Sequence, residues 1–304
     1  MEGLVLRSTG SFYDVLASDG SKVVCRVRGK IRLEGIKESN PVAVGDRVAY
    51  ELENEIGSIT DILPRTNHIL RQSVKKTGHA HVLAANVDQA FLVVTLAYPR
   101  TSLGFIDRFL VSAESFRIPQ TLVFNKKDML DSDGIEYQDA LMDLYRSIGI
   151  GVVSLSAIAF DQENIKELLK GKTTLFAGHS GVGKSTLLNK LDPAINQKVG
   201  EISGFSEKGT HTTTFAEMFQ LSENTFVIDT PGIKEWGLVD MNEQELSDYF
   251  PEMRELRLHC KFGSKCLHVN EPKCAIIAAV EKQQIAFTRY ENYLNMLSGK
   301  DNRK

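Results

Sequence analysis

The sequence predicts a multi-domain protein with a small N-terminal β-barrel, a central α/β region on a parallel sheet, and a helical C-terminal region around a cysteine-rich knot. Three observations predict it. Short strand-like runs broken by turn residues fill the first 70 positions, and apolar runs alternate with amphipathic segments from about 85 to 235. Three of the four cysteines then crowd between Cys260 and Cys274. The expected boundaries are 1–72, 73–238 and 239–304.

In the first region the runs GLVLRS, FYDVLAS, KVVCRVRG, DRVAYEL and GSITDIL read as strands. Turn residues stand at Ser18-Asp19-Gly20, Asn40-Pro41 and Gly45-Asp46. Five short strands in so little chain fit a barrel such as the OB-fold. Cys25, alone in a strand, is expected in its core. Lys22, Arg26, Arg28, Lys30, Arg32 and Lys37 face a single nearby acid, Glu34. Alternation puts Arg26 and Arg28 on one strand face, which suits either RNA phosphates or plain solvent.

The central region interleaves AFLVVT, TLVF, IGVVSLS, TTLFA and TFVID with amphipathic segments such as Ile106 to Phe116 and Tyr137 to Ile148. That alternation is the mark of a parallel sheet covered by helices. Beyond it the strands stop, and Ala275 to Leu297 reads as one helix without Gly or Pro.

At 304 residues with 42% hydrophobic and 25% charged positions, the chain has the makings of ordinary globular cores. No apolar run approaches the ~18 residues of a membrane span, and the start lacks a secretory pattern. A cytoplasmic monomer without membrane attachment is expected. Four cysteines are too few for a disulfide scaffold at this length. A net charge of −3 argues against uniform coating of nucleic acid and leaves room for a local basic patch.

Strand TTLFA runs directly into Gly178-His179-Ser180-Gly181-Val182-Gly183-Lys184-Ser185 and then, from Thr186, into helical TLLNKL. This is the phosphate-loop pattern in its proper strand–loop–helix setting. Glycines let backbone amides wrap phosphates, and the helix start adds a favourable dipole. Lys184 is expected on the β- and γ-phosphates and Ser185 on Mg²⁺. Downstream, TFVID ends in Asp229-Thr230-Pro231-Gly232, where the carboxylate anchors Mg²⁺ through water and the Gly232 amide senses the γ-phosphate.

Guanine selection is expected from Asn125-Lys126-Lys127-Asp128 and from Ser156-Ala157, each at a strand end. Asp128 accepts from two guanine donors that adenine lacks. Asn125 holds the neighbouring loop, Lys126 covers the base plane, and the Ala157 amide meets guanine O6. These loops precede the phosphate loop, whereas ordinary GTPases place them after it. The order reads as a circular permutation.

Gly209-Thr210-His211-Thr212-Thr213-Thr214 lies where a first switch belongs. Thr213, with Thr212 as the alternative, is expected to complete Mg²⁺ coordination. Ile233 stands where a water-positioning glutamine is usual, which leaves His211 as the nearest catalytic candidate. Cys260, Cys266, His268 and Cys274 sit within fifteen residues and offer four soft ligands for one structural Zn²⁺. His259 is a rival to His268. Arg254, Arg257, Lys261, Lys265 and Lys273 surround the knot and add to the case for RNA contact.

The N-terminal barrel, the permuted NKKD, SA, GHSGVGKS, THTTT and DTPG series and the Cys–Cys–His–Cys knot together resemble the ribosome small-subunit-dependent GTPase A family (RsgA/YjeQ). The resemblance spans essentially the whole chain. It implies hydrolysis of GTP to GDP late in small-subunit maturation, stimulated by that subunit and in contact with its rRNA. It also implies zinc on the Cys/His set, GTP on Gly178 to Ser185 and Asn125 to Asp128, and a catalytic role for His211. Five residues separate Cys260 from Cys266, where the family usually has four. The rival expectation is an RNA-binding scaffold with a non-catalytic nucleotide site.

Overall fold

The computed structural model describes residues 1–28, 41–53, 55–72, 80–195, 216–230 and 241–299, with the side chains of 71, 72, 80 and 81 excepted. Lys30, Arg32, Glu34, Lys37, His211, Thr212, Thr213, Pro231, Gly232 and Ile233 lie outside the described residues.

Five strands build the barrel: β1 (Glu2–Ser8), β2 (Tyr13–Ala17), β3 (Lys22–Val27), β4 (Arg47–Glu53) and β5 (Ile56–Ile62). They run in the order β1-β2-β3-β5-β4, and β4 returns to pair with β1, closing an OB-type barrel. Each strand turns alternate residues inward, so Val5, Tyr13, Val15, Cys25, Val48, Tyr50 and Ile59 form its core. Cys25 is thus a packing residue. On β3 the opposite face carries Lys22, Val24 and Arg26, all exposed. Arg26 lies 4.5 Å over the Phe12 ring, and Arg28, one residue past the strand, reaches Glu51 and Glu53 at 3.3 Å. These acids, on a strand distant in sequence, offset part of the basic stripe.

A hairpin of β6 (His68–Gln72) and β7 (Ala80–Ala85) follows, then the alternating region. Its elements are β8 (Gln89–Val94), α1 (Leu103–Ser115), β9 (Gln120–Phe124), α2 (Ser132–Ser147), β10 (Gly151–Ser154), α3 (Gln162–Leu169), β11 (Thr173–Ala177), α4 (Lys184–Leu191), β12 (Glu217–Ser222) and β13 (Thr225–Asp229). Strands β10-β9-β8-β11-β13 are parallel neighbours, and β12 adds antiparallel to β13. Ser102, Asp131 and Asp161 cap the starts of α1, α2 and α3 with side-chain oxygens.

Barrel and sheet are joined, not merely tethered. β1 pairs with β12 at Arg7 and Glu217, which makes one continuous sheet. Arg65 clasps buried Asp46 through two bonds of 2.7 and 2.8 Å, and Asn86 donates to the Gly45 carbonyl at 2.9 Å. A Cβ at Gly45 would stand 2.2 Å from the Ala85 carbonyl oxygen, so this crossing requires glycine.

In the C-terminal region α5 (Pro251–Arg254), α6 (Ala275–Glu281) and α7 (Phe287–Leu297) surround the cysteines. The single helix expected over Ala275 to Leu297 is two. Gln283 adopts φ +58°, and the Gln284 and Ile285 amides fold back onto the Ala279 carbonyl at 2.9 and 3.4 Å. A straight helix of that length would run about 35 Å past the knot. The bend instead lets Ile276, Ala279, Ile285, Tyr290, Tyr293 and Met296 share one core with the cysteines.

Candidate functional site

The carboxyl ends of the parallel strands lie nearly level. Phe176 is opposite Asp229, Ala177 opposite Leu92, and Phe124 opposite both Val94 and Ser154. The expected Asn125, Ser156, Gly178 and Asp229 loops therefore emerge along one edge despite their order in the chain. An open α/β sheet places its ligand crevice at this edge.

The phosphate loop leaves β11 and enters α4 through three glycines with positive φ: Gly178 (+152°), Gly181 (+82°) and Gly183 (+95°). A Cβ at Gly178 would meet the Val93 carbonyl oxygen at 2.6 Å. Val182 points into the core beneath the sheet and pins the loop from below. His179 packs against Phe105 of α1 with ring centroids 3.9 Å apart. Ser185 and Thr186, in the first turn of α4, are half-buried.

Lys184 is buried, and its ammonium donates to the Thr230 carbonyl at 2.6 Å and to Asp229 Oδ1. Thr230 is held in turn by its hydroxyl, which donates to the Phe176 carbonyl at 2.9 Å. Asp229 is fully buried, and its Oδ2 has no hydrogen-bond partner among the described residues. Burial pushes its pKa up, and the Lys184 charge pulls it back. A buried carboxylate oxygen without a donor is costly, and beside a phosphate loop its natural complement is a hydrated divalent cation. The residues fit Mg²⁺.

Asn125 is the hub of the base-side loops. Its Nδ2 donates to the Val182 carbonyl at 2.7 Å, and its Oδ1 accepts from the Ala157 amide at 2.8 Å. One buried side chain thus ties three loops together. The Ala157 amide, expected to meet guanine O6, is engaged by Asn125 instead. Lys126 adopts φ +63° and its ammonium donates to the Tyr98 carbonyl at 2.9 Å. Lys127 and Asp128 are exposed on a 3-10 turn, and the Ser156 hydroxyl is buried without a partner among the described residues. Sequence reasoning missed the loop after β8, whose Pro99 flanks Gly181 and whose Tyr98 fixes Lys126. Nothing local marks it: Tyr98 acts through its backbone carbonyl, and Pro99 only through its ring beside Gly181.

Cys260, Cys266, His268 and Cys274 converge with all four ligand atoms within 4.8 Å of one another, and all four are buried. His268 Nδ1 lies 3.3 Å from Cys274 Sγ and 3.6 Å from Cys260 Sγ. Its Nε2 meets the Ser247 hydroxyl at 3.2 Å, so the ring is oriented with Nδ1 toward the sulfurs. His259 is exposed and takes no part. Glu271 accepts from the Leu267, Val269 and Asn270 amides at 2.7, 2.8 and 3.1 Å and shapes the loop carrying His268. The five residues between Cys260 and Cys266 include a short 3-10 turn over Gly263–Lys265. Three sulfurs and one imidazole nitrogen in this compass suit a tetrahedral metal ion.

Fold and site together define a circularly permuted phosphate-loop GTPase flanked by an OB-type barrel and a Cys3His knuckle. The family model for the RsgA N-terminal domain matches residues 2–59, and that for the RsgA GTPase matches residues 62–239. The chain belongs to the RsgA GTPase family. It is 49% identical to the small ribosomal subunit biogenesis GTPase RsgA of Bacteroides fragilis, over 100% of this chain and 98% of that protein. It is 50% identical, with the same coverage, to small ribosomal subunit biogenesis GTPase RsgA 2 of Bacteroides thetaiotaomicron. The crystal structure of YjeQ from Thermotoga maritima matches with a TM-score of 0.76 and 35% identity, covering 100% of this chain and 99% of that one. YloQ, a circularly permuted GTPase, matches with a TM-score of 0.72 and 33% identity, over 100% and 96% of the two chains. Among the described residues no helix is long and apolar enough to cross a membrane.

Proposed function

We propose that the protein hydrolyses GTP to GDP during late maturation of the small ribosomal subunit, and that the bound nucleotide controls its attachment to that subunit. The observation that carries the nucleotide reading is the Asn125 hub, which joins the phosphate loop and both base-side loops around one crevice. The relatives named for small-subunit biogenesis support the cellular role.

In this reading Asp128 selects guanine, Lys126 lies against the base, and the amides of Gly178 to Gly183 cradle the phosphates. Lys184 exchanges its contacts with Asp229 and Thr230 for the β- and γ-phosphate oxygens. Ser185, Thr213 and, through water, Asp229 hold Mg²⁺, which supplies neutralisation of charge on the phosphate oxygens. Gly232 senses the γ-phosphate. His211 orients the attacking water, since Ile233 has no polar group to do so. The Cys3His set holds one structural Zn²⁺. The units 1–72, 73–238 and 239–304 act as RNA-binding barrel, GTPase and zinc-binding domain of a cytoplasmic monomer.

GTP turnover measured with and without purified small subunits tests the proposal. Stimulation by the subunit, lost in His211→Ala at nearly unchanged GTP affinity, is the expected result. No turnover in either condition would leave a scaffold with a non-catalytic site.

A further inference from the structure

Helix α1 is a wall shared by two parts of the molecule. Phe105, Ile106, Phe109, Leu110 and Ala113 pack into the core of the central region, and Phe105 also meets His179 of the phosphate loop. Asp107, Val111 and Glu114, spaced as i, i+4 and i+7, form the stripe that meets the C-terminal region. Val111 enters the core that holds the cysteines, and Glu114 pairs with Arg254.

Asp107 is completely buried at the centre of that stripe. Its Oδ1 accepts from Arg289 Nη1 at 2.6 Å and from the Tyr145 hydroxyl at 2.9 Å, and its Oδ2 accepts from Asn292 at 2.6 Å. Arg289, itself buried, turns its other edge to Glu252 of α5 at 2.7 and 3.1 Å. Both Arg289 and Asn292 belong to α7. The same helix carries Tyr290, whose hydroxyl donates to the His268 carbonyl at 2.6 Å, and Tyr293, which donates to the Leu267 carbonyl at 2.7 Å. The Cys/His knuckle is thus tied to α7, α7 to α1 through Asp107, and α1 to the phosphate loop through Phe105.

A buried ion network of this kind adds little net stability over well-packed apolar groups, but breaking one partner leaves an uncompensated charge. It therefore specifies one seating of α7 on α1. From this we infer that Asp107 is a positioning residue: by fixing that seating it sets the pose of Phe105 and the phosphate loop, and so ties nucleotide affinity to the placement of the knuckle. The inference rests on the nucleotide reading given above.

The experiment uses the full-length, metal-loaded protein and mant-GDP as probe. Asp107→Asn keeps the size and removes the charge; Arg289→Lys keeps the charge and removes the forked geometry. Both are expected to weaken mant-GDP binding by about fivefold or more at unchanged metal content. Combined with Phe105→Leu, which loses the ring contact with His179, the effects should fall short of multiplying, because both act through one route. Should Asp107→Asn not fold, Arg289→Lys carries the test alone. Wild-type affinity in the folded variants, or effects that multiply fully, overturns the inference. Wild-type protein that fails to bind mant-GDP overturns the nucleotide reading itself.

Discussion

Asn125 and Gly183 interlock: a Cβ on Gly183 would stand 2.2 Å from the Asn125 amide nitrogen, which lies there to bond the Val182 carbonyl. The residues are far apart in the chain and belong to different loops, yet the Asn125 side chain leaves no room for one on Gly183. Gly183 is doubly constrained, since its φ of +95° also disfavours a side chain. Gly183→Ala should reduce GTP binding by ~100-fold or more while the far-ultraviolet circular dichroism spectrum stays that of the wild type. Isothermal titration with a non-hydrolysable GTP analogue checks it, and wild-type affinity would refute the interlock.

Asn125→Ala removes two buried bonds and strands the Val182 carbonyl and the Ala157 amide. Each stranded group costs about 1–3 kcal/mol if no water reaches it. Nucleotide affinity should fall at least ~10-fold, together with thermal stability. A variant with lowered stability and wild-type affinity would assign Asn125 to the fold alone.

Asp128→Asn should exchange guanosine for xanthosine nucleotides, because the amide donates where the carboxylate accepted. Asp128 is exposed on its 3-10 turn, so the expected discrimination is more modest than at a buried site, at least ~100-fold. Competition of GTP, XTP and ATP for both proteins reads it out. Tight ATP binding by the wild type would remove Asp128 from base selection.

Metal analysis should find one zinc per chain, lost in Cys266→Ser. A structural tetrahedral site contributes folding free energy on the order of 10 kcal/mol, so the C-terminal core should melt early once the metal is chelated. Hydrogen exchange in α6 and α7, followed as chelator is added, locates the loss. Unchanged protection would show that the knuckle core stands without metal.

Glu271 yields a prediction in pH. Partial burial works to raise its pKa, but the amides it caps overcome this, and the net value lies below the ordinary one. A carboxyl lowered on folding stabilises fully above its unfolded pKa of about 4.3 and loses that contribution as pH falls through the folded value. Glu271→Gln should therefore be less stable than wild type near neutrality, and the gap should close as pH falls below about 4.3 and through the lowered folded value. Urea melts at matched metal content across that range measure it, and a gap independent of pH would contradict the assignment.

The motifs were legible because they act locally. A phosphate loop needs its glycines, lysine and serine in consecutive order, and Asn125 to Asp128 needs only a strand end to stand on, so permutation left each readable. Spacing alone brought Cys260, Cys266 and Cys274 together with a histidine; which histidine depended on the Ser247 hydroxyl and the Glu271 loop, and so on packing. The bend at Gln283 could not be read from a helical pattern without Gly or Pro, since it follows from the core that α6 and α7 share with the cysteines. The Arg7–Glu217 seam, the Arg28 pairing with Glu51 and Glu53, and the Asp107–Arg289 network all join residues remote in the chain. Sequence by itself determined the chemistry each loop can perform, because that chemistry is written in adjacent residues. Which loops face one another, and through which helix the knuckle meets the phosphate loop, only the tertiary structure decided, because those contacts arise when separate elements bury a common surface.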